Sequence, residues 1–143
     1  MSTVKAYLIN PKSRSITEVQ VSKDGIDDIN KLIGCQCFCI GTYLKDGDAV
    51  FVDDEGLLYE DQVTWFFRVD DRVIETTNPQ MLAGKALVLG YDGHTGESSD
   101  VKTSLEKLTE AIRWVGAGTT QCSATGVTVF DVFAKTFDEW LES

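Results

Sequence analysis

Few residues of this 143-residue chain have the types and spacing that catalysis requires. The single histidine, His94, lies in a polar, glycine-containing stretch, so a Ser-His-Asp or Cys-His arrangement would depend on that one side chain. The sequence contains no glycine-rich phosphate loop, dinucleotide fingerprint or nucleophile elbow. We therefore interpret His94 as an exposed loop residue and expect a non-enzymatic protein without a cofactor. An enzyme with an unrecognised site stays open as a third reading.

The cysteines Cys35, Cys37, Cys39 and Cys122 are the next candidates for chemistry. Three of them alternate in a segment that has the pattern of a strand, where neighbours on one face are about 6.8 Å apart. That spacing is near the upper limit for a disulfide, and a strand lacks the tight turn that paired zinc ligands usually need. We therefore expect buried, reduced thiols that pack as small apolar side chains, and no metal site.

Carboxylates gather in the turns between predicted strands. A hard divalent cation needs several converging oxygen ligands, and the spacing here does not match a calcium-binding loop. Carboxylates in tight turns usually stabilise the turn and its solvation, and this is the interpretation we adopt. The residues concerned are Asp46, Asp48, Asp53, Asp54 and Glu55.

Two basic residues, Lys12 and Arg14, lie in a short turn segment that begins with Asn10 and Pro11. Two cations on one compact turn can hold a phosphate or a nucleotide, with arginine contributing a planar fork of donors. An exposed polar turn is the simpler alternative, although a basic turn is informative in so acidic a chain. The sequence therefore gives Lys12 and Arg14 as candidate ligand-binding residues.

Aromatic residues indicate a candidate partner surface. Trp65, Phe66 and Phe67 are consecutive, and strand side chains alternate between faces, so at least one must meet a second layer or a partner. Phe137 and Trp140 fall on one side of a predicted terminal helix. Core packing is the first explanation for both groups, and docking or self-association is the second. Trp65, Phe137 and Trp140 are the candidate partner-binding residues.

The chain has 23 acidic and 13 basic residues, a formal net charge of -10 and a sequence pI near 4.4. Nucleic acids and anionic membrane surfaces both attract lysine and arginine, so we expect neither as a partner. The acidity favours solubility or docking on a basic protein. The first residues lack the pattern of a secretory signal and no apolar run could span a bilayer, so we expect a cytoplasmic location.

Hydrophobic periodicity predicts the elements that position these residues. Apolar residues alternate on both sides of the basic turn, which indicates an N-terminal β-hairpin. Helical spacing over 26–33, closed by Gly34, indicates a short helix. The apolar run from Ala86 to Leu89 is typical of a strand buried on both faces.

Helical spacing returns in the last third of the chain. It predicts a helix over 101–115, capped by Ser99 or Asp100, and a terminal helix that begins at Asp131. The complete pattern predicts a single α+β domain with a bent, mainly antiparallel sheet, one short crossing helix and C-terminal helices. We expect a β-rich core over 1–92 and a helical extension over 93–143 packed on it.

Four segments, LINPKSRSITEVQV, LIGCQCFCIGTY, DAVFVDDEGLL and MLAGKALVLG, occur in an order that resembles family 3846 of the domains of unknown function. Members of that family are small proteins of phages, plasmids and other mobile DNA. The resemblance covers about residues 4–92, and Gly34-Cys35 replaces the paired glycines of the family. Its pattern consists of turn and core residues, so it implies a fold and a setting, not a mechanism. The positions of interest are Lys12, Arg14, Asp54, Glu55, Gly56 and Gly84.

The resemblance implies an accessory protein of a phage or mobile element that acts in the host cytoplasm. We expect it to act by binding, as a host-directed or counter-defence inhibitor of a protein partner, with a homo-oligomer as a further possibility. The alternative is a protein that sequesters a small ligand such as a nucleotide or another anion.

Overall fold

The computed structural model describes residues 3–23, 26–35, 37–44, 47–53, 64–69, 81–92, 94–122 and 128–134. Within these ranges the chain forms strands and two short helices. In chain order they are β1 (Thr3–Asn10), β2 (Ser15–Ser22), α1 (Ile26–Ile33), β3 (Phe38–Tyr43), β4 (Asp48–Asp53), β5 (Thr64–Val69), β6 (Met81–Ala83), β7 (Ala86–Tyr91), β8 (Ser98–Ser99), α2 (Leu105–Ala111), β9 (Ile112–Cys122) and β10 (Thr128–Ala134).

The strands form two sheets, and the described pairings are antiparallel. The first sheet has the order β2-β1-β7-β4-β3, with the short strand β8 also paired to β7. The second has the order β10-β9-β5-β6. The expected α+β class with mainly antiparallel strands is confirmed. The expectation of one bent sheet was wrong, because the chain leaves the first sheet after β4 and returns to it only at β7.

β7 lies in the middle of the first sheet and is buried on both faces, as its apolar sequence predicted. Val88 belongs to the core between the two sheets, whereas Leu87 and Leu89 belong to the core beneath α1. Side chains alternate along a strand, so a middle layer needs apolar residues at every position. The fold is therefore layered, with a helix on one face of the first sheet and the second sheet on the other.

The helix α1 occupies the residues that its periodicity predicted. Ile29 and Ile33 are buried against the first sheet. Gly34 has a φ of 81° and donates its N–H to the Asn30 carbonyl at 2.8 Å, which ends the helix in a left-handed turn. The backbone N–H of Ser22 donates to a carboxylate oxygen of Asp28 at 3.2 Å, so the end of β2 is joined to the helix.

The three consecutive aromatic residues of β5 are all buried. Phe67 faces the core between the sheets, and Phe66 packs on the opposite face with Ala83 and Val115. Trp65 is 9% exposed and packs on Ala117 of β9. The prediction that at least one of these aromatics meets a second layer or a partner is confirmed by Phe67, which packs against residues of the first sheet.

The last third of the chain differs from the prediction. The helix expected over 101–115 is limited to α2 and is capped by Ser104, whose hydroxyl accepts from the Lys107 N–H at 3.2 Å. Residues 112–122 form a strand along β5, and Asp131 lies inside a strand instead of capping a helix. The predicted helix over 101–115 is therefore confirmed for Leu105–Ala111 and wrong for 112–115, where pairing with β5 satisfies the backbone groups. The predicted start of the terminal helix at Asp131 was wrong, and residues 135–143 of that prediction lie outside the described part of the chain.

A β-bulge shows how β9 fits its neighbour. Phe66 pairs with Gly116 and Phe67 with Trp114, so Val115 is an extra residue on β9. Gly116 has a φ of 132°, a conformation that is costly for other residues.

In the part of the chain that the structure describes, no helix is long and apolar enough to cross a membrane.

Candidate functional site

A cleft of about 510 Å³ opens where the chain crosses from the second sheet to the first. Three segments border it: the end of β1 with its turn, the beginning of β5, and the short connection between β6 and β7. The turn and β7 belong to the first sheet, whereas β5 and β6 belong to the second. Its lining residues are Asn10, Pro11, Lys12, Thr64, Trp65, Gly84 and Lys85.

The backbone around the two lysines of the cleft is held by hydrogen bonds. The Lys12 N–H donates to the side-chain oxygen of Asn10 at 3.1 Å, which fixes the backbone of Lys12, the first basic residue of the turn. The Gly84 N–H donates to the Trp65 carbonyl at 2.8 Å, so the residue before Lys85 is fixed to β5. Lys12 and Lys85 are both exposed.

Gly84 leaves open space in the cleft. Its φ is 77°, and, apart from its two chain neighbours, no described residue has an atom within 4 Å of the position that a Cβ would take there. Glycine is favoured at this φ for conformational reasons, and it also exposes backbone to the cleft without a side chain above it. A ligand can approach the β6–β7 connection closely for the same reason.

The lining combines positive charge with an aromatic surface. Two ammonium groups can donate charge-assisted hydrogen bonds to a phosphate or carboxylate. Trp65 also lines the cleft and is 9% exposed, and an indole is a side chain that can contact an apolar or planar group. The described lining residues include no carboxylate, histidine or cysteine, so the arrangement is suited to binding an anion and offers no acid–base pair.

The structure separates the two predicted ligand residues. Lys12 lines the cleft, whereas Arg14 is exposed at the end of the turn with a φ of 53° and is not part of the described lining. Lys85 is the second lysine of the described lining, and it was not predicted from the sequence as a ligand residue. A glycine followed by a lysine ahead of a buried strand was the available signal.

The predicted partner-binding residues have different outcomes. Trp65 lines the cleft as a mostly buried side chain, and its contact with a protein partner stays a prediction. Phe137 and Trp140 lie outside the described residues, as do four of the acidic-turn and family positions, namely Asp46, Asp54, Glu55 and Gly56.

The cysteine prediction was partly wrong. Cys35, Cys37 and Cys39 are free thiols as expected, but Cys37 and Cys39 are exposed. β3 is at the edge of the first sheet and begins at Phe38, whose ring packs on Phe51, so Cys39 faces away from that core. Cys122 is in β9 and its side chain is outside the described part.

His94 is exposed in the β7–β8 turn, as predicted. No group of three or more histidine, cysteine, aspartate or glutamate side chains is arranged to hold a metal ion within the described ranges.

Asp48 is a further residue whose role the sequence did not reveal. It is fully buried, and its carboxylate accepts hydrogen bonds from the N–H groups of Lys102 and Thr103 and from the Thr103 hydroxyl, at 2.7–3.0 Å. The prediction that it lies in a solvated turn was wrong, since its side chain is not exposed. The long sequence separation between donor and acceptor explains why no local pattern indicated this contact.

Comparison with known proteins gives one family. The model of the family described as "Domain of unknown function (DUF3846)" matches residues 4–113, well over half of the chain. The match confirms the resemblance and extends it beyond residue 92 through α2 to the beginning of β9. No curated protein and no solved structure matches the chain.

Proposed function

We propose a binding role from the premise that the chain belongs to the DUF3846 family. In this proposal the protein holds a small anionic ligand in the cleft between its two sheets. The observation that carries the proposal is the convergence of Lys12 and Lys85 on one cleft beside Trp65. The three come from separate segments of the chain, and both sheets contribute to the cleft.

The class of ligand follows from the lining. The two ammonium groups favour a phosphate or another compact anion, and the indole favours an attached planar or apolar group. A mononucleotide has both parts. The cleft volume of about 510 Å³ also lies within the usual range of small-molecule sites, about 300–1,000 Å³.

The biological setting is the second part of the proposal. The resemblance implies an accessory protein of a phage or mobile element that acts in the host cytoplasm, and in our proposal it acts there by sequestering its ligand. A protein partner is the other candidate, and the net charge of -10 supports it by favouring a basic docking surface. The cleft favours the small ligand, because an anion-binding pocket is not needed for docking an acidic surface.

Isothermal titration with inorganic pyrophosphate and a set of mononucleotides tests the proposal. Lys85→Gln and Lys12→Gln should each weaken binding about tenfold, the low end of what one charge-assisted hydrogen bond supplies. Lys31→Gln on the exposed face of α1 removes the same charge far from the cleft and should leave affinity unchanged.

Three results would contradict the small-ligand proposal. The unmodified protein could fail to bind any of these anions at millimolar concentration. Lys85→Gln could bind as well as the unmodified protein, or the Lys31→Gln control could lose as much affinity as the cleft variants, which would indicate attraction by overall charge. Any of these three results would leave the protein-partner proposal to be tested by cross-linking in host cells.

A further inference from the structure

A second cleft, of about 500 Å³, lies at the β7–β8 hairpin, and the described lining residues of the two clefts are different. The end of β2, the turn before β4 and the segment before α2 complete its border. It contains two lysines, Lys23 and Lys102, and two carboxylates, Asp92 and Glu97. Side chains of both charges therefore surround one small volume.

The backbone of Lys102 is fixed by hydrogen bonds to Asp48. Both carboxylate oxygens of the buried Asp48 accept from the Lys102 N–H at 3.0 Å. Gly47 lies beside the other end of the side chain, since a Cβ at this glycine would be 3.8 Å from the Lys102 ammonium nitrogen. The ammonium group thus lies over a backbone position that carries no side chain.

The carboxylate of Asp92 is fixed by the hairpin turn. One of its oxygens accepts from the His94 N–H at 2.8 Å and from the Thr95 N–H at 3.4 Å. The hydrogen bond from His94 is the main reason that the pKa of Asp92 is lowered, and the Lys102 charge lowers it further. Asp92 is therefore ionised at neutral pH, and its second oxygen is left for other donors.

The charges that line this cleft are not neutralised by short contacts. Neither Lys23 nor Lys102 forms an ion pair with another described residue, and neither does Glu97. The two positive and two negative side chains of the described lining have a formal net charge of zero. A simple anion would be attracted by the lysines but repelled by the carboxylates, and a simple cation would meet the reverse.

We propose that this cleft binds a zwitterion of amino-acid or dipeptide size, with the ligand carboxylate at Lys102 and Lys23 and its ammonium group at Glu97 and Asp92. A ligand with one charge of each sign satisfies both sets of side chains at once. The volume accommodates a dipeptide, and the open border suits a ligand that exchanges with solvent. This site is independent of the anion site proposed above.

Titration of the full-length protein with diglycine, followed by amide chemical shifts, tests the inference. Diglycine should bind with a Kd of about 1 mM or tighter and shift the amides of the β7–β8 hairpin and of Lys102. N-acetyl-diglycine lacks the ammonium group and diglycine amide lacks the carboxylate. Each should bind at least about tenfold more weakly.

Two pairs of variants locate the site. Lys102→Gln and Glu97→Gln should each raise the diglycine Kd about tenfold, whereas the exposed controls Lys31→Gln and Glu106→Gln should leave it unchanged. Urea unfolding of each variant shows whether it is folded. If Lys102→Gln does not fold, Glu97→Gln still tests the proposal. Equal binding of the acetylated or amidated compound, or no shift with diglycine at millimolar concentration, would overturn the proposal.

Discussion

Replacement of Asp48 by alanine should destabilise the protein more than any other removal of a single carboxylate among the described residues. Asp48 is fully buried, forms no ion pair with a described residue and accepts from three donors. It joins the first residue of β4 to the segment that leads into α2. The substitution leaves the N–H groups of Lys102 and Thr103 without their acceptor, in a place that water reaches poorly.

The magnitude follows from two opposing effects. A buried donor without a partner costs about 1–3 kcal/mol, so the two N–H groups together cost about 4 kcal/mol, and the Thr103 hydroxyl can rotate to another acceptor. Removing a carboxylate from the interior recovers part of its desolvation cost. We therefore expect a net loss of about 3 kcal/mol, a large part of the 5–15 kcal/mol that stabilises a typical domain.

Equilibrium unfolding in urea, followed by circular dichroism, measures this loss. With an m-value of about 2 kcal/mol/M, the midpoint for Asp48→Ala should fall by about 1.5 M at unchanged slope. Asp27→Asn removes a carboxylate charge on the exposed face of α1 and should change the free energy of unfolding by less than about 0.5 kcal/mol.

A double-mutant cycle with Thr103→Val isolates the contact itself. The free energy of coupling between Asp48→Ala and Thr103→Val should be at least about 1 kcal/mol, because the hydroxyl and the carboxylate share a buried hydrogen bond of 2.7 Å. A loss below about 1 kcal/mol for Asp48→Ala, or a coupling energy near zero, would refute the argument that this carboxylate joins the two segments.

Three further predictions concern a strand residue, a helix end and a hairpin turn. Gly90→Ala should lower the free energy of unfolding in urea by about 2 kcal/mol, because its Cβ would overlap the Ser99 hydroxyl. Adding Ser99→Ala should restore only part of this loss, since the same Cβ would also lie 2.9 Å from the Asp100 carbonyl oxygen. Gly34→Ala should cost about 1 kcal/mol by the same assay through strain at a φ of 81°, with no clash to add to it. The carboxyl of Asp92 should titrate by NMR below its ordinary pKa of 3.8. A lowered pKa in the folded state stabilises the folded hairpin above pH 3.8, and this stabilisation should be lost as pH falls from 3.8 through the lowered pKa. A normal pKa for Asp92, or an undiminished midpoint for either glycine variant, would contradict the corresponding contact.

The predictions that succeeded depended on neighbours in sequence. The N-terminal hairpin, the helix α1 and its end at Gly34 follow from spacing, turn residues and a glycine that permits a left-handed conformation. The burial of β7 on both faces followed from its unbroken apolar run. Each of these features is decided within about ten residues, so local patterns were enough to predict them.

The predictions that failed depended on residues far apart in the chain. Residues 112–115 fit a helix locally, yet they form a strand because β5 supplies hydrogen bonds to them. The exposure of Cys37 and Cys39 depends on the position of β3 at the edge of the first sheet. No local segment of the sequence determines the order of the strands in a sheet.

The sequence by itself determined the α+β class, the acidic surface, the first elements of the fold and one of the two cleft lysines, Lys12. Only the tertiary structure decided that Lys85 and Trp65 join Lys12 and that Asp48 is buried beneath Lys102. The physical reason is that a side chain's type limits what it can bind, whereas its neighbours across the sheets determine its exposure and its charge environment. The tertiary fold brings those neighbours together over separations of more than fifty residues, as in the hydrogen bond from the Lys102 N–H to Asp48.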